Sequence, residues 1–472
     1  MKAVFSHLGL LLAVLHLTGT FGAKPVQAQA TIFQSDRANT NSVEQGRALH
    51  AQATIPPTIP PHLRALDQEQ VTVAVPLIEQ TWEKQFEDYF KINFSNESTT
   101  VQKIAQTLGK IANQTGKKPA LIYMVPRPEQ LEIVLITPEG QPIHKRVVEA
   151  KQEDLKMQVQ ELTKAMINPV SRDTQGYLPI AQKLYQWMIA PIEADLQAQD
   201  IDTLLFCVGG GLRTAPMAAL HDGKQFLVEK YSFSRIPAFK LTNAIYTDLR
   251  NTPVLAMGAS EFKDQNPLPA VPVELSTITN RLWRGKSFLN QEFTLDNLRS
   301  QRASNGYKII HLATHADFRP GEPSNSYVQM WDTKLTLDQM RKLGWNSPPV
   351  ELLVLSACKT AIGDKDVELG FAGLAVQARV KSAIASLWEV SDEATLGLMS
   401  EFYQHLKRAP IKAEALREAQ IAMLKGQVRL TGGQLHTSRR TISLPPELAA
   451  LGNKDLSSPY YWAAFTMVGS PW

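Results

Sequence analysis

The chain has 472 residues, enough for two or three domains, and its 44% hydrophobic and 20% charged composition excludes a disordered or fibrous protein. Its 49 lysines and arginines stand against 45 acidic residues, a formal charge of +4 with no run of like sign, which excludes an electrostatic nucleic-acid surface or a polybasic membrane segment. Two cysteines, Cys207 and Cys358, are too few for a disulfide framework, although they allow one bridge.

In chain order, residues 1–30 read as an export signal. Lys2 supplies the positive end, residues 8–17 are mainly apolar, and Ala28-Gln29-Ala30 matches a small-residue cleavage site. The apolar stretch is shorter than the roughly 20 residues a helical span needs, and no spanning-length apolar run follows. The expected mature protein is therefore exported, periplasmic or extracellular, with no stable membrane span. Residues 31–72 form a polar linker, stiffened by Pro56-Pro57 and Pro60-Pro61. Residues 73–116 carry apolar side chains at helical spacing, among them Leu77, Trp82, Phe86, Tyr89 and Phe90, and predict a helical segment.

From 117 to 472 strand and helix patterns alternate. Apolar runs of strand length occur at 120–125, 131–136, 203–208, 254–259, 308–313, 352–357 and 382–387, separated by helix-compatible stretches. Continuous apolar strands alternating with helices imply an α/β fold with a mostly parallel sheet flanked by helices. In such sheets ligand sites gather at the carboxyl ends of strands. The run 425–456, with Gly432-Gly433, Arg439-Arg440 and Pro445-Pro446, reads as an exposed loop open to proteolysis.

Two strand ends carry candidate chemistry. One apolar strand leads into Thr314-His315-Ala316-Asp317, and the next leads directly into Cys358. An imidazole beside a thiol favours the thiolate, the nucleophilic form, and later protonates a leaving amine. Each half alone has an ordinary structural explanation, because strand-end histidines and buried cysteines are common; Cys207, inside an apolar run, reads as core. His311 and His315 are four apart but have no further ligand set near them, so no metal site is expected. No phosphate-binding loop occurs, and Gly209-Gly210-Gly211 lacks dinucleotide spacing, so no cofactor is expected. Trp388 and the cluster Tyr460, Tyr461, Trp462 and Phe465 read as core.

The blocks HLATHADF (311–318), LVLSACKTAIGD (353–364), ELGFAGLAVQARVKSAIASLWEVSDEAT (368–395) and PYYWAAFTMVGS (459–470) resemble the CHAT-domain family of caspase-like cysteine peptidases, relatives of caspases and separases. GGGLRTAPMAALHDG (209–223) is similar to a loop in that family's first half, so the resemblance runs from about residue 179 to the C-terminus. It implies a caspase-like fold and a cysteine endopeptidase in which His315 is the base, Cys358 the nucleophile, and His311 a structural residue. It also implies an oxyanion hole from the backbone N–H groups of Ala316 and Cys358.

Where the family usually has glycine this chain has Ala316, which matters if the position requires a positive φ. Lys359 replaces an acid beside the nucleophile. The segment SLWEVSD is similar to the separase stretch whose aspartate binds an arginine side chain of the substrate, which implies a substrate-binding role for Asp392 and cleavage after a basic residue; the alternative is that Asp392 caps a helix beginning near Glu393. The partners this implies are a protein or peptide substrate and an activating protein, with no nucleic acid. A second functional class stays open, in which a catalytically weak or inactive relative keeps the fold as a protein-binding scaffold in the cell envelope.

Overall fold

The computed structural model describes residues 59–94, 98–360 and 363–472, with Ala357 and Cys358 described by backbone alone. The export signal and most of the linker lie outside these residues. Residues 59–472 make one compact unit.

Three helices open it: α1 (Pro61–Asp67), α2 (Val71–Phe90) and α3 (Val101–Thr115). The Thr100 hydroxyl caps α3 by accepting from Lys103 N, and Gly116 ends it at φ 69°, the left-handed position that suits glycine. A stripe of α2, including Ile78, Trp82 and Phe86, is fully or almost fully buried. That stripe faces the sheet, where Trp82 lies 6.0 Å from the Tyr123 ring and the Tyr123 hydroxyl donates to Glu79 at 2.8 Å. Each large apolar side chain buried this way contributes about 1.5–3 kcal/mol. The helix α4 (Gln152–Ile167) follows the first three strands.

Those strands are β1 (Pro119–Pro126), β2 (Leu131–Ile136) and β3 (Ile143–Val147). Then come β4 (Thr203–Val208), β5 (Ser232–Ile236), β6 (Val254–Gly258), β7 (Gly285–Leu289), β8 (Ile309–Phe318), β9 (Tyr327–Gln329), β10 (Lys334–Thr336), β11 (Leu352–Thr360) and β12 (Ser382–Ser386). Four short strands, β13 (Arg429–Thr431), β14 (Gln434–His436), β15 (Thr441–Ser443) and β16 (Lys454–Asp455), precede β17 (Phe465–Gly469).

The main sheet has 13 strands in two parallel blocks. One block is β7-β6-β8-β11-β12 and the other β17-β5-β4-β1. They meet at the antiparallel pair β12–β17; β9 and β10 extend the first block antiparallel from β8, and β2 and β3 extend the second from β1. β4, β6 and β12 are buried along their whole length, which is why they read as mainly apolar runs rather than alternating ones.

The run 425–456 differs from expectation. β13 to β16 form a separate four-stranded antiparallel sheet, with Leu430, Leu435 and Ile442 buried beneath it. Strands of two or three residues, with at most one inward side chain each, leave too little periodicity to be read from sequence.

Candidate active site

β8 and β11 lie side by side in parallel register, with Leu352 opposite Ile309 and Val354 opposite His311. The register slips between Leu355 and Ala357, where β8 holds one residue more than β11, so that Ala357 pairs with His315 and Cys358 with Ala316. Such a bulge re-aims side chains. It breaks the two-residue alternation that would give His311 and His315 one face, and the two histidines have quite different surroundings.

His311 is fully buried. Its Nε2 is 2.7 Å from Glu274 Oε1 and its Nδ1 3.2 Å from the Tyr403 hydroxyl. Every polar atom of the ring is committed to the core. His315 is half-exposed, with its ring 4.7 Å from that of Phe262 and its Nε2 2.8 Å from the carbonyl oxygen of Asn266. A carbonyl only accepts, so Nε2 carries the proton. In the neutral ring Nδ1 then holds the lone pair, available as a base.

The sequence reading put His315 just past the end of its strand. It lies inside β8, which continues to Phe318, as β11 continues through Cys358 to Thr360. His315 is accessible because β8 changes neighbours here. β6 pairs with it up to Gly258 opposite Ala313, and β9 takes over only at Ala316 opposite Val328. Gly258 permits the close approach before the gap, since a Cβ there would meet the Ala313 carbonyl oxygen at 2.4 Å. A cleft of about 1140 Å³ opens at the gap. The loop after β6 (Glu261, Phe262, Asp264, Asn266) forms one wall, and residues of β8 to β10 (Asp317, Arg319, Tyr327, Trp331, Lys334) form another. Lys359, Glu389 and Val390 complete the lining.

Asp317 accepts from Arg319 Nε at 2.7 Å. Arg319 and Lys334 both lie over the Tyr327 ring, at 5.1 and 4.3 Å from its centre. Arg319, Lys334 and Tyr327 give this wall cationic and aromatic groups, Glu261, Asp264 and Glu389 add acidic ones elsewhere beside Lys263 and Lys359, and the cleft thus offers polar and ring contacts.

Ala316 is buried and is not among the non-glycine residues with positive φ, which in the described residues are Glu69, Lys91, Gln175, Asp200, Asn290 and Arg379. Its Cβ therefore carries no backbone penalty at this position. The backbones of Ala316 and Cys358 are direct partners across the β8–β11 ladder. Lys359 is exposed at the cleft.

Asp392 is the first residue of the helix Asp392–Leu406, whose N-cap is Ser391, so it does not cap that helix. Its Oδ2 accepts instead from the backbone N–H of Ala270. Burial, reinforced by the negative charges of Glu274 and Glu393 and opposed by the Ala270 N–H, pushes its carboxyl up to about 7. Asp392 is not among the residues that line the cleft; it follows the lining residues Glu389 and Val390 in the chain.

Cys207 is a free thiol, fully buried, with Sγ 3.5 Å from the Pro237 carbonyl oxygen; burial pushes its pKa well up, and it is core as expected. Trp388 Nε1 donates to the Tyr460 carbonyl at 3.0 Å, and Tyr461, Trp462 and Phe465 are buried. Among the described residues no cluster of His, Cys, Asp or Glu has the make-up of a metal site. No described helix is long and apolar enough to cross a membrane. The sequence reading missed Asn266, and a backbone carbonyl leaves no residue-type signal to find it by.

A family model for the CHAT domain matches residues 178–470. The chain belongs to the CHAT-domain family. The matched span covers β4 to β17, including the whole β8–β11 region and the cleft. No curated protein matches in a sequence comparison.

Among solved structures the fold is similar to that of the Saccharomyces cerevisiae separase–securin complex, with a TM-score of 0.53 and 9% identity over 86% of this chain and 34% of that one. This CHAT-domain chain thus spans about a third of the length of the chain it matches. A weaker likeness, TM-score 0.35 at 11% identity, covers 62% of this chain and 69% of the chain in the complex of Porphyromonas gingivalis RgpB pro- and mature domains. The architecture is the caspase-like α/β one, a mostly parallel sheet flanked by helices with a helical N-terminal part.

Proposed function

We propose that this CHAT-domain protein is an exported cysteine endopeptidase that cleaves protein substrates after a basic residue, with His315 as base and Cys358 as nucleophile. One observation carries the reading: His315 pairs across the β8–β11 ladder with Ala357, the residue before Cys358, and lines a cleft with its Nε2 proton held by the Asn266 carbonyl.

In this reading Nδ1 of His315 takes the proton of the Cys358 thiol, giving a thiolate and an imidazolium. The thiolate attacks the scissile carbonyl carbon, and the oxyanion that forms is met by the N–H groups of Ala316 and Cys358. Collapse breaks the C–N bond, and the proton on Nδ1 passes to the leaving amine. Water, deprotonated by the same nitrogen, then hydrolyses the thioester and frees Cys358. The Asn266 carbonyl keeps the ring in one tautomer and orientation throughout.

Basic specificity draws on Asp392, whose Oδ1 has no hydrogen-bond partner among the described residues and whose acidic neighbours leave it without a cation. A substrate guanidinium supplies one. Export draws on Lys2, the apolar residues 8–17 and the Ala28-Gln29-Ala30 site. The separase of the comparison is seen with securin, and protein control of this chain's activity belongs to the same proposal.

The test is turnover of a fluorogenic peptide library by the protein beside Cys358→Ala and His315→Ala. Cleavage after Arg or Lys that is lost in both variants supports the proposal. Turnover that survives Cys358→Ala overturns it.

A further inference from the structure

The carboxylate of Asp392 and the imidazole of His315 are joined by five residues. Ala270, whose N–H Asp392 accepts, is the N-cap residue of the helix Val271–Thr277, and its own methyl side chain offers no cap. Asp392 reaches across from another helix to satisfy an N–H that the first turn leaves without an intrahelical partner. Four residues upstream, the carbonyl of Asn266 accepts the His315 proton at 2.8 Å.

The stretch between them is Asn266-Pro267-Leu268-Pro269-Ala270. Two prolines lock their φ angles and restrict the residues before them, so this stretch is stiffer than an ordinary loop. Leu268 N donates to Ser260 O at 2.9 Å, and Val271 N to Leu268 O at 3.1 Å. A stiff strut held at Ala270 carries any displacement there to Asn266.

The charged groups around Asp392 are Glu274, engaged with His311, and Glu393, engaged with Lys454. No described cation pairs with Asp392, so the Ala270 N–H is its single anchor. Resting on the reading of His315 as base, we propose that Asp392 is a positioning residue as well as a binding residue. Its hold on Ala270 fixes the strut that presents the Asn266 carbonyl to His315, and so sets the tautomer and orientation of the base. A basic substrate group arriving at the other carboxylate oxygen binds the same device that aligns the imidazole.

A cap alone stabilises the fold and leaves the base untouched. The experiment must therefore read the base without using the substrate-binding carboxylate. Alkylation of Cys358 by iodoacetamide, followed against pH in the full chain with Cys358→Ala as blank, does so, because the small reagent occupies no specificity pocket. His315→Ala is expected to move the midpoint up towards that of an ordinary thiol, about 8.5. Asp392→Ala is expected to move it in the same direction and to slow alkylation at pH 6.5 by about 3- to 10-fold.

Ala270→Pro removes the N–H at a φ of −77°, which proline adopts, and leaves the carboxylate in place. It is expected to reproduce the shift. Asp392→Asn, whose amide oxygen still accepts from Ala270, keeps the alkylation profile while losing turnover of arginine substrates. Wild-type profiles for Asp392→Ala and Ala270→Pro, beside a shifted His315→Ala, overturn this inference alone. An unshifted His315→Ala overturns the base assignment and this inference with it.

Discussion

The Nε2 of His315 stands 2.8 Å from the carbonyl oxygen of Asn266, whereas His311, four residues earlier on the same strand, has its Nε2 2.7 Å from the buried carboxylate of Glu274. A carbonyl orients an imidazole without adding charge, and it leaves the second nitrogen free for proton transfer. A buried carboxylate and a tyrosine hydroxyl on the two nitrogens of His311 leave nothing free. The two rings therefore respond differently to removal.

His315→Ala is expected to abolish turnover by a factor of about 10³ or more, as loss of a general base does, with a melting temperature close to that of the parent. His311→Ala is expected to cost about 3 kcal/mol of stability, because it strands the Glu274 carboxylate in the core. The folded fraction keeps its activity. Thermal unfolding of each variant beside its turnover separates the two roles, and a thermally intact His311→Ala without activity would reverse the assignment.

Ala316→Gly is expected to bring no gain in rate. The position does not need positive φ, so glycine offers no geometry that alanine withholds, and it adds backbone freedom to the unfolded chain. Stability should fall by about 0.5–1 kcal/mol while turnover stays within about twofold. A several-fold rise in turnover would show that the methyl group obstructs the oxyanion.

Much of this was legible in the sequence, for identifiable reasons. β4, β6, β12 and residues 352–356 of β11 are buried, so their apolar runs announced them, and the blocks around His315 and Cys358 carried the family resemblance. What escaped was set by pairing rather than by residue type. The bulge opposite Ser356, the handover from β6 to β9 and the antiparallel junction of β12 with β17 are relations between distant segments. β8 was read too short because Thr314, His315 and Asp317 are polar residues on a strand that borders a cleft. Asn266 acts through its backbone, and Asp392 reaches the start of a helix 122 residues earlier in the chain.

Lys412 is fully buried, its ammonium donating to the Trp472 carbonyl. Burial pushes its pKa down to about 7, with Glu351 opposing the shift and Lys381 adding to it. The unfolded chain holds this proton up to about pH 10.4, the folded chain only to about 7. Between these values the unfolded state binds more protons, so this group makes stability rise with pH from 7 towards 10. Lys412→Met removes that contribution. The difference in unfolding free energy between the two proteins should shift by about 2–4 kcal/mol between pH 7 and pH 10 in favour of the parent, measured by chemical denaturation at fixed ionic strength. A difference independent of pH would mean that Lys412 keeps its charge in the fold.

The turn carrying Arg439 and Arg440 sits between β14 and β15 and is exposed, which makes it an attractive cut site for an enzyme that prefers basic residues. It is also tied down. Glu401, fully buried on the helix Asp392–Leu406, accepts from Ser438 N at 2.5 Å and from its hydroxyl at 2.8 Å, and Thr437 N donates to Arg440 O at 2.8 Å. A protease needs several residues in extended form, so these bonds must open before Arg439 or Arg440 can enter an active site. The parent protein is expected to stay a single band through incubation and to resist trypsin at this turn. Glu401→Ala leaves the Ser438 amide and hydroxyl without their acceptor and should speed trypsin cleavage after Arg439 or Arg440 by about tenfold, the effect of roughly 1.4 kcal/mol on local opening. Equal cleavage rates in the two proteins would show that the turn opens without breaking these bonds.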